Sequence, residues 1–195
     1  MTDATIDFTP VTDLVAGLLD GVDDARLADP TPCGHYTQAQ LLNHLLGLCL
    51  AFTAAARGET GPHNDAPPGE PATALEPQWR GELQRRLATL ADVWSAPSAW
   101  EGDALAGGVT LPASIMGLVA LNEVAIHGWD LARATGQDYA LDPGVVEALT
   151  AFTGQDAHDQ SAREGIYGPV VTLPADAPRQ DQLIALTGRD PAWRP

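Results

Sequence analysis

Leu121-Asn122-Glu123-Val124-Ala125-Ile126-His127-Gly128-Trp129-Asp130 is the stretch whose reading decides the fold of this chain. Read as helix, it turns by about 100° per residue, so Glu123 and His127 point the same way, with Asp130 close behind them. A carboxylate, an imidazole and a second carboxylate then share one stripe. Their neighbours Leu121, Val124, Ile126 and Leu131 are apolar, which puts the stripe on a helix that a core should largely bury. A buried carboxylate without a partner is costly, and a metal ion is one standard partner. The missing ligand should come from another helix, and the best candidate is His44, embedded in the apolar run Leu41-Leu42-Asn43-His44-Leu45-Leu46.

Outward from that stretch, the whole chain sets limits. Its 195 residues are most simply one domain over 1–195, long enough for a substantial core. Hydrophobic residues make 45% and charged residues 18%, an ordinary globular balance. A formal net charge of −16 makes nucleic acid and anionic membrane surfaces poor partners. Cys33 and Cys49 are too few for a secreted disulfide framework and form no C-x-x-C pattern, which suits a reducing cytoplasm. Acidic residues at the N-terminus argue against a signal peptide, and no uninterrupted apolar run reaches spanning length. The expectation is a soluble cytoplasmic protein.

Taken in order, Val11, Leu14, Val15, Leu18, Leu19 and Val22 predict a first amphipathic helix from Pro10 to about Arg26, broken by Asp29-Pro30-Thr31-Pro32. Thr37 with Gln40 has the capping-box form and starts a second helix that carries His44 and runs to about Arg57. Residues 58–73, rich in Gly, Pro and Asp, read as an exposed loop in which His63 has no assigned role. Helical spacing resumes from Leu75 to Trp94. A Gly-rich hairpin or irregular crossing follows over 100–110, with Gly107-Gly108 as a turn. Pro112 opens a long fourth helix ending near Thr135-Gly136, and Asp142-Pro143 opens a fifth. The tail adds an extended piece at Val170-Val171-Thr172-Leu173 and a short helix near Gln180 to Leu186. The expected fold class is all-α, a four-helix bundle of up-and-down type with these additions.

His44, Glu123 and His127 would leave a coordination position open for water or substrate, the arrangement of catalytic zinc. The E-x-x-x-H spacing alone is equally compatible with simple core hydrogen bonding or chance. Asp130 reads either as a group that orients a ligand imidazole or accepts a substrate proton, or as a salt-bridge partner of an arginine. Cys33 and Cys49 could serve as metal ligands or nucleophiles, but a small buried hydrophobe is the commoner fate of an isolated cysteine. No phosphate loop, nucleophile elbow or dinucleotide fingerprint is present.

Three segments together carry a resemblance: Thr31-Pro32-Cys33-Gly34-His35-Tyr36-Thr37 with Leu41-Leu42-Asn43-His44-Leu45, then Glu123-Val124-Ala125-Ile126-His127-Gly128-Trp129-Asp130-Leu131, then the tail from Tyr167-Gly168-Pro169-Val170 to Thr187-Gly188-Arg189-Asp190-Pro191. The chain resembles actinobacterial members of the DinB-like superfamily, in the branch related to the N-terminal domain of mycothiol-dependent maleylpyruvate isomerase. The resemblance implies a four-helix bundle holding a divalent metal, zinc first and nickel second, through His44, Glu123 and His127. It implies an activity-associated position at Asp130, and a low-molecular-weight thiol such as mycothiol as co-substrate, activated to attack a small electrophile. A homodimer is implied by the resemblance only. Two departures stand out. Tyr36 replaces the tryptophan usual three residues after the cysteine, with His35 before it, and the chain is too short for a C-terminal domain like that of the isomerase.

The leading expectation is therefore a metal-dependent thiol S-transferase or isomerase. Its rivals are a hydrolase using metal-bound water and a non-catalytic small-molecule binding or resistance protein, in which His35 and Tyr36 would matter most.

Overall fold

The computed structural model describes residues 5–34, 36–163 and 165–195, so His35 lies outside the described residues. The long helices form where apolar spacing predicts them: α1 (Thr9–Leu18), α2 (Gln38–Ala56), α3 (Trp79–Trp94) and α4 (Ala113–Thr135). Between α3 and α4, β1 (Asp103–Ala106) and β2 (Val109–Pro112) pair antiparallel around the Gly107-Gly108 turn, with Ala106 opposite Val109. After α4 come α5 (Pro143–Thr153), the single turn α6 (Gln160–Arg163) and α7 (Arg179–Leu186). Apart from that hairpin the fold is helical.

Local chemistry explains most of the boundaries. Thr37 and Gln40 make both bonds of the capping box at the start of α2. Asp142 caps α5 by accepting from the Gly144 N–H at 2.8 Å, with Pro143 in the first turn. α1 is shorter than its apolar series predicts. It gives way to 3-10 turns at Leu19–Gly21 and Asp24–Arg26, and the carbonyls freed there are taken by Arg80, which donates to Leu19 O at 3.3 Å and Val22 O at 2.6 Å. α3 begins at Trp79 rather than Leu75, because Asn43 on α2 holds the preceding chain through Ala72 O and Ala74 O at 2.7 and 2.9 Å. The tail around Val171 forms no ladder, and its N–H donates to Ala185 O at 3.1 Å.

Side-chain ties give the helix directions. Gln38 at the start of α2 donates to Ala134 O near the end of α4 at 3.1 Å, so these two run antiparallel. Arg86 reaches Leu46 O and Trp94 reaches Phe52 O, so α2 and α3 run parallel. Phe8 stacks on Trp94 while Leu19 O meets Arg80, so α1 and α3 are antiparallel. The order along the chain is up, down, down, up. Strict alternation is lost because the long loop 57–78 carries the chain back along the bundle before α3 begins. α1 and α2 each pack against both α3 and α4.

The core lies between these four helices, with Leu41, Leu45, Leu83, Leu87, Leu121 and Trp129 almost inaccessible to solvent. Each such side chain contributes about 1.5–3 kcal/mol on burial. By length and composition α2 would pass for a membrane span, yet its apolar faces are covered by α3 and α4. Gly128 is a point of close approach to α4. A Cβ there would lie 2.5 Å from both Tyr139 Oη and Val15 Cγ2. Tyr139 uses that room to donate to Ala125 O at 2.8 Å, pinning the chain beyond α4 against the helix.

Candidate functional site

The antiparallel α2–α4 contact brings His44 opposite Glu123 and His127. His127 Nε2 lies 3.2 Å and His44 Nε2 3.8 Å from the same Glu123 oxygen, and the two imidazole rings meet edge to face with centroids 4.8 Å apart. One ligand atom from each of the three residues lies within 4.8 Å of the others. Burial works against the Glu123 charge, but its bonds to His127 and His44 hold its carboxyl well below the usual range.

Asp130, fully buried, accepts from His127 Nδ1 at 2.9 Å and from Arg189, whose Nε and Nη2 approach the carboxylate at 2.8 and 2.9 Å. Burial opposes its ionisation, yet the Arg189 charge and the His127 bond keep the carboxyl below its usual value. An ionised Asp130 can only accept, so Nδ1 of His127 carries a proton. Burial also opposes a charge on His127, but its bonds to Asp130, Cys33 and Glu123 raise its pKa well above the ordinary value. Arg189 arrives from the tail through Gly188, which takes φ +80° and packs so closely on Gly168 that a Cβ would sit 2.6 Å from the Gly168 Cα. Without that glycine the tail could not deliver its arginine.

The three-donor set fits a divalent ion of zinc type. Two imidazoles and a carboxylate converge from two helices, near enough for ligand bonds of about 2.0–2.2 Å after small closure. His127 offers Nε2 while Nδ1–H is fixed by a carboxylate, the second interaction that orients a ligating histidine.

A cavity of about 760 Å³ opens on the His44 and Glu123 side. Leu48, Phe52, Leu111, Met116 and Val119 supply much of its apolar wall. The Pro-rich loop 57–78 covers one side through Pro62, Pro67 and Pro68, where the sequence suggested only an exposed loop. Buried Asn64 docks that loop by donating to Glu59 O and Leu105 O at 2.6 and 3.1 Å. His63 is part of the same wall.

Thus the structure assembles His44, Glu123, His127 and Asp130 as the sequence suggested. It adds three residues to which sequence reasoning gave no role, Arg189, Asn122 and Tyr167, and it brings in Cys33, which the sequence favoured as a core residue over a ligand or nucleophile. Cys33 is half-buried, and its sulfur lies within 4.8 Å of donor atoms of His127 and Asp130. Arg189 closes on Asp130, and Asn122 and Tyr167 meet at the cavity wall, with Nδ2 donating to Oη at 2.9 Å. Burial pushes the Tyr167 hydroxyl up to about 12. The available signals were proximity in sequence for Asn122, next to Glu123, and the matching tail motif for Tyr167 and Arg189. Tyr36 packs its ring against His44, centroids 5.4 Å apart, and burial raises its hydroxyl pKa. Cys49 is a core residue whose thiol is pushed up to about 12 by burial.

Comparison with known proteins gives the family and supports the fold. The family described as Mycothiol maleylpyruvate isomerase N-terminal domain matches residues 8–132. Two Mycobacterium tuberculosis proteins, described as uncharacterized protein Rv0738 and uncharacterized protein MT0763, are each 28% identical over 178 residues, covering 91% of this chain and 92% of their own. The crystal structure of the mycothiol-dependent maleylpyruvate isomerase is similar with a TM-score of 0.59 at 24% identity, over 78% of this chain and 69% of that one. A histidine-to-alanine mutant of that enzyme gives the same TM-score and coverage at 23% identity.

Proposed function

The chain belongs to the mycothiol maleylpyruvate isomerase N-terminal domain family, and from that premise we propose that it is a metal-dependent enzyme in which a low-molecular-weight thiol attacks a small electrophile. The reaction is an isomerisation, in which the thiol is returned, or an S-transfer, in which it stays in the product. Mycothiol is the co-substrate that the relatives' names suggest. The observation that carries this reading is the convergence of His44, Glu123 and His127 at the wall of a large apolar cavity.

His44, Glu123 and His127 would hold the ion, with zinc the first choice for such donors. Bound there, a divalent ion would keep a thiol deprotonated near neutral pH and so make it nucleophilic. Asp130 does not touch the reactants. It keeps a proton of His127 on Nδ1, so that Nε2 is the nitrogen that would give up its proton and ligate, and Arg189 keeps Asp130 ionised. The apolar wall excludes water and places the electrophile beside the His44 and Glu123 donors. We treat residues 1–195 as one catalytic unit, because the tail beyond α5 supplies Arg189 and Tyr167 to a site built on the bundle.

The test is elemental analysis of protein purified without chelator, wild type beside His44→Ala, followed by assay of a panel of electrophiles with and without thiol. About one equivalent of metal is expected in wild type and none in the variant, with product formation only when thiol is present. Stoichiometric metal and undiminished turnover in His44→Ala would overturn the assignment.

A further inference from the structure

His127 belongs to a second set of donors, apart from the set it forms with His44 and Glu123. The Cys33 sulfur, a ring nitrogen of His127 and an Asp130 oxygen all lie within 4.8 Å of one another. Cys33 is a free thiol, half-buried, and makes a hydrogen bond with His127. None of the three lines the large cavity, so this set lies outside the space proposed for the electrophile.

A closed turn holds the sulfur in place. The hydroxyl oxygen of buried Thr31 accepts from the Cys33 N–H at 3.2 Å, and the same hydroxyl donates to Tyr36 O at 2.8 Å. Gly34, at φ +53°, donates its N–H to Pro32 O at 2.9 Å, and the Tyr36 N–H returns to Cys33 O at 3.0 Å. Pro30 pairs with Thr37, which closes the turn just before α2. Cys33 is thus positioned by backbone bonds.

His127 and Asp130 are complete without it, because Nδ1 donates to Asp130 at 2.9 Å and Arg189 closes on the carboxylate. The thiol is an additional donor beside a satisfied pair. Charge decides what it can hold. Arg189 already offsets the charge of Asp130, so the carboxylate and imidazole alone would attract a cation weakly. A Cys33 thiolate supplies the missing negative charge and, as a soft ligand, selects zinc or cadmium over magnesium and calcium. An ion there would take Nδ1, since Nε2 faces Glu123, while Arg189 stays on Oδ1 of Asp130.

We propose that Cys33, His127 and Asp130 form a second, thiophilic metal position, and that filling it loosens the ion held by His44, Glu123 and His127. Binding releases the thiol proton and the Nδ1 proton to solvent, and the bonds formed are those to the ion. The two ions repel each other across one imidazole ring, and an ion at Nδ1 removes the Asp130 bond that orients this ring for the first. Coupling of this kind is reciprocal, so the first ion weakens the second by the same factor. The second position stands on its own donors, and only the coupling rests on the metal centre proposed above.

Cadmium chloride titrated into the protein as purified, followed by thiolate-to-cadmium charge-transfer absorption in the ultraviolet, tests this. The band should saturate at about one equivalent per chain and vanish in Cys33→Ser, which should keep the metal found in wild type. Elemental analysis should show wild type losing that metal at cadmium concentrations that leave Cys33→Ser loaded. His44→Ala keeps the second set whole, so it should show the band and bind cadmium about tenfold more tightly than metal-loaded wild type. His127→Ala should bind cadmium about tenfold more weakly than His44→Ala, or worse. No band in wild type, a band that survives Cys33→Ser, or equal affinity in His44→Ala and His127→Ala would overturn the second position. A band lost in His44→Ala would make Cys33 a ligand of the first ion and would overturn it too. Equal affinity in His44→Ala and loaded wild type would overturn the coupling. A wild type that carries no metal as purified yet shows the band would sink the metal-centre reading and leave the second position standing.

Discussion

The two sides of α4 near its middle are built on opposite principles. Towards α1 and the tail, the helix is closed: Gly128 admits Val15 and Tyr139 at contact distance, and Asp130 is held by His127 and Arg189. Towards the loop 57–78 and the hairpin it is open, with Glu123 a quarter exposed and the Asn122 oxygen without a partner among the described residues, beside a large cavity. Packing and pairing on the closed side cost the fold nothing in unmet hydrogen bonds at Asp130. On the open side, polar groups remain unsatisfied where a ligand would meet them. Under the proposed function, the closed side would orient and the open side would bind.

The largest expected effect lies on the closed side. Asp130→Asn keeps the shape but removes the only anion that Arg189 has among the described residues, leaving a buried charge unpaired. Breaking a buried pair in this way costs about 3–5 kcal/mol. Urea unfolding should show that loss as a lower midpoint at unchanged slope. Metal affinity should fall about 10–100-fold as His127 loses its orienting partner. A stability loss below about 1 kcal/mol would mean that the closed side is held by packing alone, within the spread of ordinary surface changes.

A matched pair of alanine substitutions tests the packing part of the contrast. In Gly128→Ala the new methyl would meet Tyr139 Oη and Val15 Cγ2 at 2.5 Å, and overpacking of this kind costs about 1–3 kcal/mol. Gly47, on α2 at the cavity wall, has nothing within 4 Å of where its Cβ would be. There the same change should stabilise by about 0.5–1 kcal/mol through helix propensity. Thermal unfolding of the two variants should therefore move in opposite directions. Equal losses would remove the distinction between the two sides.

The sequence makes different parts of the candidate site legible to different degrees, for physical reasons. His44, Glu123, His127 and Asp130 can be read because helix periodicity converts spacing into direction, and an apolar surround marks their helix faces as turned towards the core. The four-helix core and the caps at Thr37 and Asp142 are legible by the same local rules. Arg189, Cys33 and Tyr167 are carried by loops and tail, where no periodicity relates position to direction. Their arrival depends on long-range contacts, such as the Gly168–Gly188 approach. The role of loop 57–78 as a cavity wall is hidden likewise, because it is fastened by Asn43 and Asn64 to carbonyls far away in the chain. The end of α1 depends on Arg80 from another helix, which local apolar spacing cannot register.

The smallest expected effect uses a second carboxylate held by arginine, this time at the surface. On α3, Glu82 accepts from Arg85 at 2.7 Å and from Arg86 at 2.5 Å, the same pairing chemistry as at Asp130 without the burial. The bonds to Arg85 and Arg86 lower the Glu82 carboxyl from 4.5 to about 2. A depressed folded-state pKa means that the contribution is present above the unfolded value and disappears as pH falls through the folded one. Wild type should therefore lose its advantage over Glu82→Gln between pH 4.5 and about 2, and the two should differ by a constant small amount at neutral pH. Added salt should shrink that difference at neutral pH while leaving the Asp130→Asn loss nearly intact, because screening reaches exposed charges far more than buried ones. Unfolding curves for both variants at low and high ionic strength make the comparison direct. If salt removed both differences to the same extent, burial could not be what distinguishes the Asp130 pair, and its role in orienting His127 would have to rest on geometry alone.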